Sequence, residues 1–265
     1  MSFSAIHTRL IDRLCSFLPG HINNRLFITI YSFLRFLPSG GVHRRRIPER
    51  QAANEYAFFS HRGRSMSGEG FIEDQNTYTD MTYGASTVQA AGCGLIAMRN
   101  ALLDLCPGLP PAGRELPALI AAFEKSGMVF GARFGTAPAA LKRFMKKTGL
   151  ETAAVCRERD FEAAAAASDG LIMLMYNDRN DIRRQVHTVY VSKQIIRMPS
   201  GPAGSAARSG EPGFLYTAHN VYGDGRETGP CESFEALMGQ IRGGRARAIL
   251  LLTLRRPGTT SPAGK

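Results

Sequence analysis

Gln89-Ala-Ala-Gly-Cys93-Gly94-Leu-Ile-Ala-Met-Arg-Asn100-Ala-Leu-Leu is the stretch on which the reading of this chain turns. A Gly-Cys-Gly turn runs straight into a segment where Leu95, Ile96, Met98, Leu102 and Leu103 recur at helical spacing. A largely buried helix is therefore predicted from Cys93 to about Leu105, stopped by Pro107-Gly108. Cys93 then sits at a helix N-terminus, where unpaired N–H groups and the positive end of the macrodipole favour an anion. A thiolate is such an anion, and it is the nucleophilic form of cysteine. Gly92 and Gly94 are expected to leave room for a substrate beside the sulfur. The alternative is a structural cysteine buried in a helix cap, since free cysteine is often buried. The stretch by itself leaves both readings open.

Outward from this helix the pattern continues in helices and then in strands. A second helix is predicted over 113–126, with Leu116, Leu119, Ile120 and Phe123 inward. Thr136-Ala137-Pro138 opens a third, with Pro138 in its first turn, and Gly149 closes it. Residues 150–156 suit a strand and the alanine-rich 160–168 a short helix. Residues 170–176 form a continuous apolar run, as in a strand buried on both faces, while 186–192 and 214–222 alternate. A helix over 233–241, capped by Ser233, precedes a last strand over 246–254. Helices first and strands later predict an α+β domain, helices packed on an antiparallel sheet, spanning residues 79–256.

Residues 1–78 read as a basic N-terminal extension. Residues 5–18 place Ile6, Leu10, Leu14 and Phe17 on one helical face, and 25–37 are strongly apolar with arginine at both ends. This pair fits an interfacial membrane anchor, a helical hairpin packed on the domain, or a partner-binding arm. Residues 47–78 are polar and contain Ser65-Met-Ser-Gly-Glu-Gly70, the composition of a linker. Residues 198–212 are a Gly/Pro/Ala/Ser loop, and residues 257–265 have the composition of a disordered tail.

Of the 265 residues, 44% are hydrophobic and 21% charged, which is ordinary for a globular chain. The net charge of +11 is concentrated at the front, where residues 1–50 hold eight arginines against Asp12 and Glu49. The charge therefore points to a membrane surface or an acidic partner met through residues 1–50 rather than to the main body. No aromatic-basic interleaving or helix-turn-helix spacing supports nucleic acid. The five cysteines, 15, 93, 106, 156 and 231, form neither a disulfide framework nor a metal pair, so reduced thiols, no metal and no cofactor are expected. No apolar run reaches the roughly twenty residues of a membrane span, and no signal peptide is evident. A cytoplasmic protein, peripheral to the membrane if residues 1–50 bind it, is the expectation.

A thiol nucleophile needs a base and a group to orient that base. His7, His21, His43 and His61 lie in the extension, which leaves His187 and His219. His187 opens a strand next to a polar loop, a natural place for a base facing a cleft. Alternation puts His219 and Asn220 on opposite faces of the next strand, so only one of them serves a given site. Cys93, His187 and Asn220, in that order, make a Cys-His-Asn set in which the Asn220 side-chain oxygen would accept from the imidazole N–H and fix its tautomer. Against it stand two ordinary alternatives: a structural histidine at a strand edge, and an asparagine that merely begins a turn.

The run Tyr83-Gly84…Gly92-Cys93-Gly94-Leu-Ile-Ala97…Asn100 resembles the nucleophile helix of bacterial papain-like cysteine peptidases, those similar to the double-glycine leader peptidases of bacteriocin export. Val186-His187-Thr-Val-Tyr-Val and Ala218-His219-Asn220-Val-Tyr-Gly resemble that group's histidine and Asn/Asp strands. The resemblance covers about residues 80–254. It implies a papain-like fold, a peptide or protein substrate, Cys93 as nucleophile, His187 as general base and acid, and Asn220 as the orienting residue. It also implies a glutamine ahead of the cysteine that donates into the oxyanion hole; the one candidate is Gln89, four residues upstream and nearer than that group's usual spacing. The reaction implied is acyl transfer: peptide hydrolysis, or deamidation or amide transfer with the same triad. The non-enzymatic alternative is an inactive papain-like binding module with a basic arm.

Overall fold

A computed structural model describes residues 46–126, 135–177, 186–196, 213–221 and 228–258. The amphipathic segments at 5–18 and 25–37, the loop at 198–212 and most of the tail lie outside the described residues. In chain order the elements are α1 (Ile47–Ser65), β1 (Thr82–Tyr83), β2 (Ser86–Thr87), α2 (Val88–Ala91), α3 (Cys93–Leu105), α4 (Pro111–Arg114) and α5 (Leu116–Ser126). There follow α6 (Pro138–Lys147), β3 (Glu151–Val155), α7 (Phe161–Ala166), β4 (Gly170–Tyr176), β5 (Val186–Ile196), β6 (Gly213–His219), α8 (Phe234–Gln240) and β7 (Arg247–Arg255).

Helix α3 is the axle of the domain. Gly94, Leu95, Ile96, Ala97, Met98, Ala101 and Leu102 are all buried, so it is covered on almost every side. A helix apolar around its circumference can only be stable in that position. It lies on a five-stranded antiparallel sheet of order β3-β7-β4-β5-β6. The middle strand, β4, is buried at all seven positions, as its unbroken apolar run requires. Its alternate residues serve two different cores. Ile172, Leu174 and Tyr176 pack with α3, α5, α6 and α1, whereas Leu171, Met173 and Met175 pack with α7 and α8. The architecture is α+β with an antiparallel sheet, as expected, and helices cover both faces.

Local signals place the helix starts. Pro138 stands in the first turn of α6 behind Ala137, and the Ser233 side chain caps α8 by accepting from the Ala236 N–H at 3.0 Å.

Two expectations are corrected. Residues 47–78 are not a linker. They form the 19-residue helix α1 and a segment, residues 66–81, that crosses the domain with Phe71, Ile72, Tyr78 and Met81 buried in its main core. Asn54 fastens α1 by accepting from the Thr82 N–H at 2.8 Å and donating to the Thr82 carbonyl at 2.9 Å. Arg50 reaches the buried Glu124 of α5 at 2.8 Å. The strand predicted over 214–222 ends at His219, because Asn220 takes a left-handed conformation (φ 65°) that leaves the ladder.

Candidate active site

Cys93 is the first residue of α3, as the Gly-Cys-Gly turn predicts. The short turn α2, capped by the Thr87 hydroxyl, delivers the chain to it, and the Gly92 N–H closes that turn on Val88 O at 2.7 Å. The two glycines serve packing rather than access, which corrects the expectation above. A Cβ on Gly92 would meet the Val88 backbone and side chain at 2.5–3.0 Å, and one on Gly94 would meet Thr136 at 3.3 Å. Gly135 completes the collar: it has φ +57°, and its Cα lies so near the Ala91 carbonyl that a Cβ would stand 2.1 Å from that oxygen.

Cys93 as a residue is half-buried. Burial pushes the Cys93 thiol up from its ordinary value, and this outweighs the N–H and hydroxyl of Thr188 and the N–H groups of Gly94 and Cys93, which pull it down. The thiol form therefore dominates near neutral pH. The donors that would receive a thiolate are nonetheless in place around it.

His187 is the second residue of β5 and is buried. Its Nε2–H donates to the Asn220 main-chain carbonyl at 2.6 Å. A carbonyl can only accept, so the neutral ring carries its hydrogen on Nε2 and Nδ1 is the basic nitrogen. Burial lowers its pKa to about 4 against the opposing effect of that hydrogen bond, and the charge of Arg242 adds to the lowering. The imidazole is neutral at pH 7.

The structure brings His187 and Asn220 together, but not through the atoms expected. The main chain of Asn220 receives the imidazole, while its side chain is turned to Gln75. Asn220 Oδ1 accepts from the Gln75 N–H at 3.0 Å, and Nδ2 donates to Gln75 Oε1 at 3.2 Å. No described hydrogen bond joins Cys93 to His187. Thr188, the next residue along β5, is the one that meets the sulfur. Alternation places His187 in the row of Val189 and Val191, whose side chains pack toward α8, and Thr188 in the row of Tyr190, on the α3 face.

The Gln89 side chain is exposed, and what that residue contributes to the network is its main-chain carbonyl, which accepts from Gln75 Nε2 at 2.7 Å. No described contact takes its amide to Cys93. The other histidine of the body, His219, has no described contact with Cys93 but joins the same network through Glu73. Its Nδ1 donates to Glu73 Oε1 at 2.7 Å, its Nε2 meets Ser192 Oγ at 2.8 Å, and its ring lies against Phe71 at a tilt of 31° with centroids 4.1 Å apart. Glu73 Oε2 also accepts from the Asn220 N–H at 3.1 Å.

Glu73, Gln75 and Thr188 are the site residues that motif reading misses. The first two lie in the segment whose composition suggests a linker. Their one sequence signal is the pair of apolar residues beside them, Phe71-Ile72. Among the described residues, no group of three or more His, Cys, Asp or Glu could hold a metal, and no helix is long and apolar enough to cross a membrane. No family model, curated protein or solved structure matches the chain.

Proposed function

We propose that this chain is a papain-like cysteine hydrolase or acyl transferase acting on a peptide or amide, with Cys93 as nucleophile and His187 as general base and acid. The observation that supports it is the lining of the sulfur. A helix-N-terminal sulfur lies among the N–H groups of Cys93, Gly94 and Thr188, and the strand neighbour of Thr188 is His187, a neutral imidazole that Asn220 holds in a defined tautomer in the row facing α8. The three N–H groups suit a developing anion, on the sulfur or on an attacked carbonyl oxygen. The resting pair is thiol and imidazole rather than an ion pair. The reaction then requires the His187 ring to turn from the α8 row toward the sulfur, and begins with Nδ1 taking the thiol proton as the sulfur bonds to the carbonyl carbon. The same proton passes to the leaving amine as the thioester forms, and water or another nucleophile resolves the thioester. Asn220 orients the imidazole through its carbonyl.

A second reading, a binding module without catalysis, is favoured by one specific observation: His187 belongs to the row that faces α8. One experiment separates the two. Iodoacetamide labelling of the full chain, mapped by mass spectrometry from pH 5.5 to 9.5, is expected to modify Cys93 at pH 7 at least about tenfold faster than in His187→Ala, because the neutral imidazole takes the thiol proton as the sulfur is alkylated. Labelling of Cys93 no faster than that of Cys106 or Cys231, and unchanged in His187→Ala, would overturn the enzymatic reading.

A further inference from the structure

We propose that Gln75 is the positioning residue that couples the His187–Asn220 pair to the turn carrying Cys93; this rests on the reading of Cys93 and His187 as nucleophile and base. Gln75 is 1% exposed, and all its polar groups of consequence are spent on the site's two halves. On one side its main-chain N–H and its Oε1 hold both ends of the Asn220 amide, at 3.0 and 3.2 Å. On the other its Nε2 donates at 2.7 Å to the carbonyl of Gln89, inside the turn four residues ahead of Cys93. A side chain that accepts at one oxygen and donates from one nitrogen is needed to span the two, and only an amide of this length provides both.

What Gln75 holds would not hold itself. Asn220 sits at φ 65°, a conformation that non-glycine residues adopt at a cost and keep only where the surroundings over-determine it. Here the over-determination is visible: Gln75 on the side chain and Glu73 on the main-chain N–H. The carbonyl so presented is the one that receives His187 Nε2–H. Removal of the Gln75 amide leaves Asn220 Nδ2 and the Gln89 carbonyl without their described partner and lets Asn220 relax toward ordinary φ. The acceptor then moves off the imidazole, the tautomer is no longer fixed, and the Cys93 turn loses its tie to the same residue. Small displacements between reacting groups are costly to rate.

The test is the rate constant for iodoacetamide alkylation of Cys93 against pH in the full chain, for wild type, His187→Ala, Gln75→Ala and Gln75→Met, with thermal melting alongside. Gln75→Met keeps the buried volume and removes only the polar atoms, so it decides the matter if Gln75→Ala fails to fold. The expected result is a loss of about tenfold at pH 7, with the pH profile displaced toward that of His187→Ala. In the His187→Ala background Gln75→Met is expected to add no further loss, since the two act as a unit. Folded Gln75 variants with the wild-type profile, beside a His187→Ala variant that is slow, would overturn the proposal and leave Gln75 a purely structural residue. Wild type and His187→Ala indistinguishable from each other would sink the underlying reading, and the Gln75 proposal with it.

Discussion

The buried imidazole of His187 should make this fold sensitive to mild acid, by an amount that follows from its surroundings. Its folded pKa is about 4 against an ordinary 6.5, lowered chiefly by burial. Below pH 6.5 the unfolded chain therefore binds a proton that the folded chain refuses. The sign follows directly: the unfolded state binds more protons between pH 6.5 and 4, so stability rises with pH across that window and is lost as pH falls through it. At pH 5 the difference amounts to about 2 kcal/mol, approaching about 3 kcal/mol at pH 4 and below. With a urea slope of about 2 kcal/mol per molar, the unfolding midpoint should fall by about 1 M between pH 7.5 and pH 5 on account of this residue alone. Carboxylates and the remaining histidines contribute their own slopes, so the informative quantity is the difference between wild type and His187→Gln. That variant keeps a donor for the Asn220 carbonyl and removes the titration. Chemical denaturation of both proteins at pH 7.5, 6 and 5 should show the variant losing distinctly less stability than the wild type on acidification. Parallel pH dependences would mean that His187 is not a buried neutral imidazole, and the assignment of Nδ1 as its unprotonated nitrogen would go with it.

Two further outcomes probe the supports of the site. Asn54→Leu should lower stability by about 2–3 kcal/mol, since it strips both hydrogen bonds from the main chain of Thr82 while leaving those groups part-buried, and thermal melting would register it. An unchanged melting temperature would mean that α1 is held by its apolar contacts alone. Gly135→Ala should cost more than the ordinary point mutation, above about 3 kcal/mol, because it combines a positive φ with a Cβ driven onto the Ala91 carbonyl two residues before Cys93. A folded Gly135→Ala protein with wild-type Cys93 reactivity would show that the collar around the Cys93 turn can move.

The legible parts of this molecule are those where one physical signal dominates. Periodicity finds α3 because Gly92 and Pro107 bracket a segment that is mostly apolar and buried. The continuous run Gly170–Tyr176 is a fully buried strand, since only a central strand covered on both faces tolerates such a run. Helix α1 escapes because its inward face is not apolar. It buries Asn54 and Ser65 beside Ala57 and Phe58, and those polar side chains are satisfied at long range, by Thr82 and Tyr78. A residue that is buried because its partner is 28 positions away looks, locally, like a residue in solvent.

The same cause hides half of the site. Cys93, His187 and Asn220 announce themselves by residue type at element ends. Glu73 and Gln75 do not, since their partners His219 and Asn220 lie 145–147 residues downstream. The pattern recurs at Asn100, whose amide pairs with both main-chain groups of Ile72 at 2.9 and 3.0 Å. Asn54, Asn100 and Asn220 thus each fasten one point of the segment 72–82, and these side-chain amides add to its few main-chain bonds to Ser65, Val88 and Gln89. An amide offers a donor and an acceptor with the geometry of a peptide group, so it can complete a strand-like pairing where no strand exists. That arrangement explains how a stretch with the composition of a linker becomes structure. It also explains why the half of the candidate site that motifs overlook is the half that sets the position of Asn220, and through it the tautomer of His187.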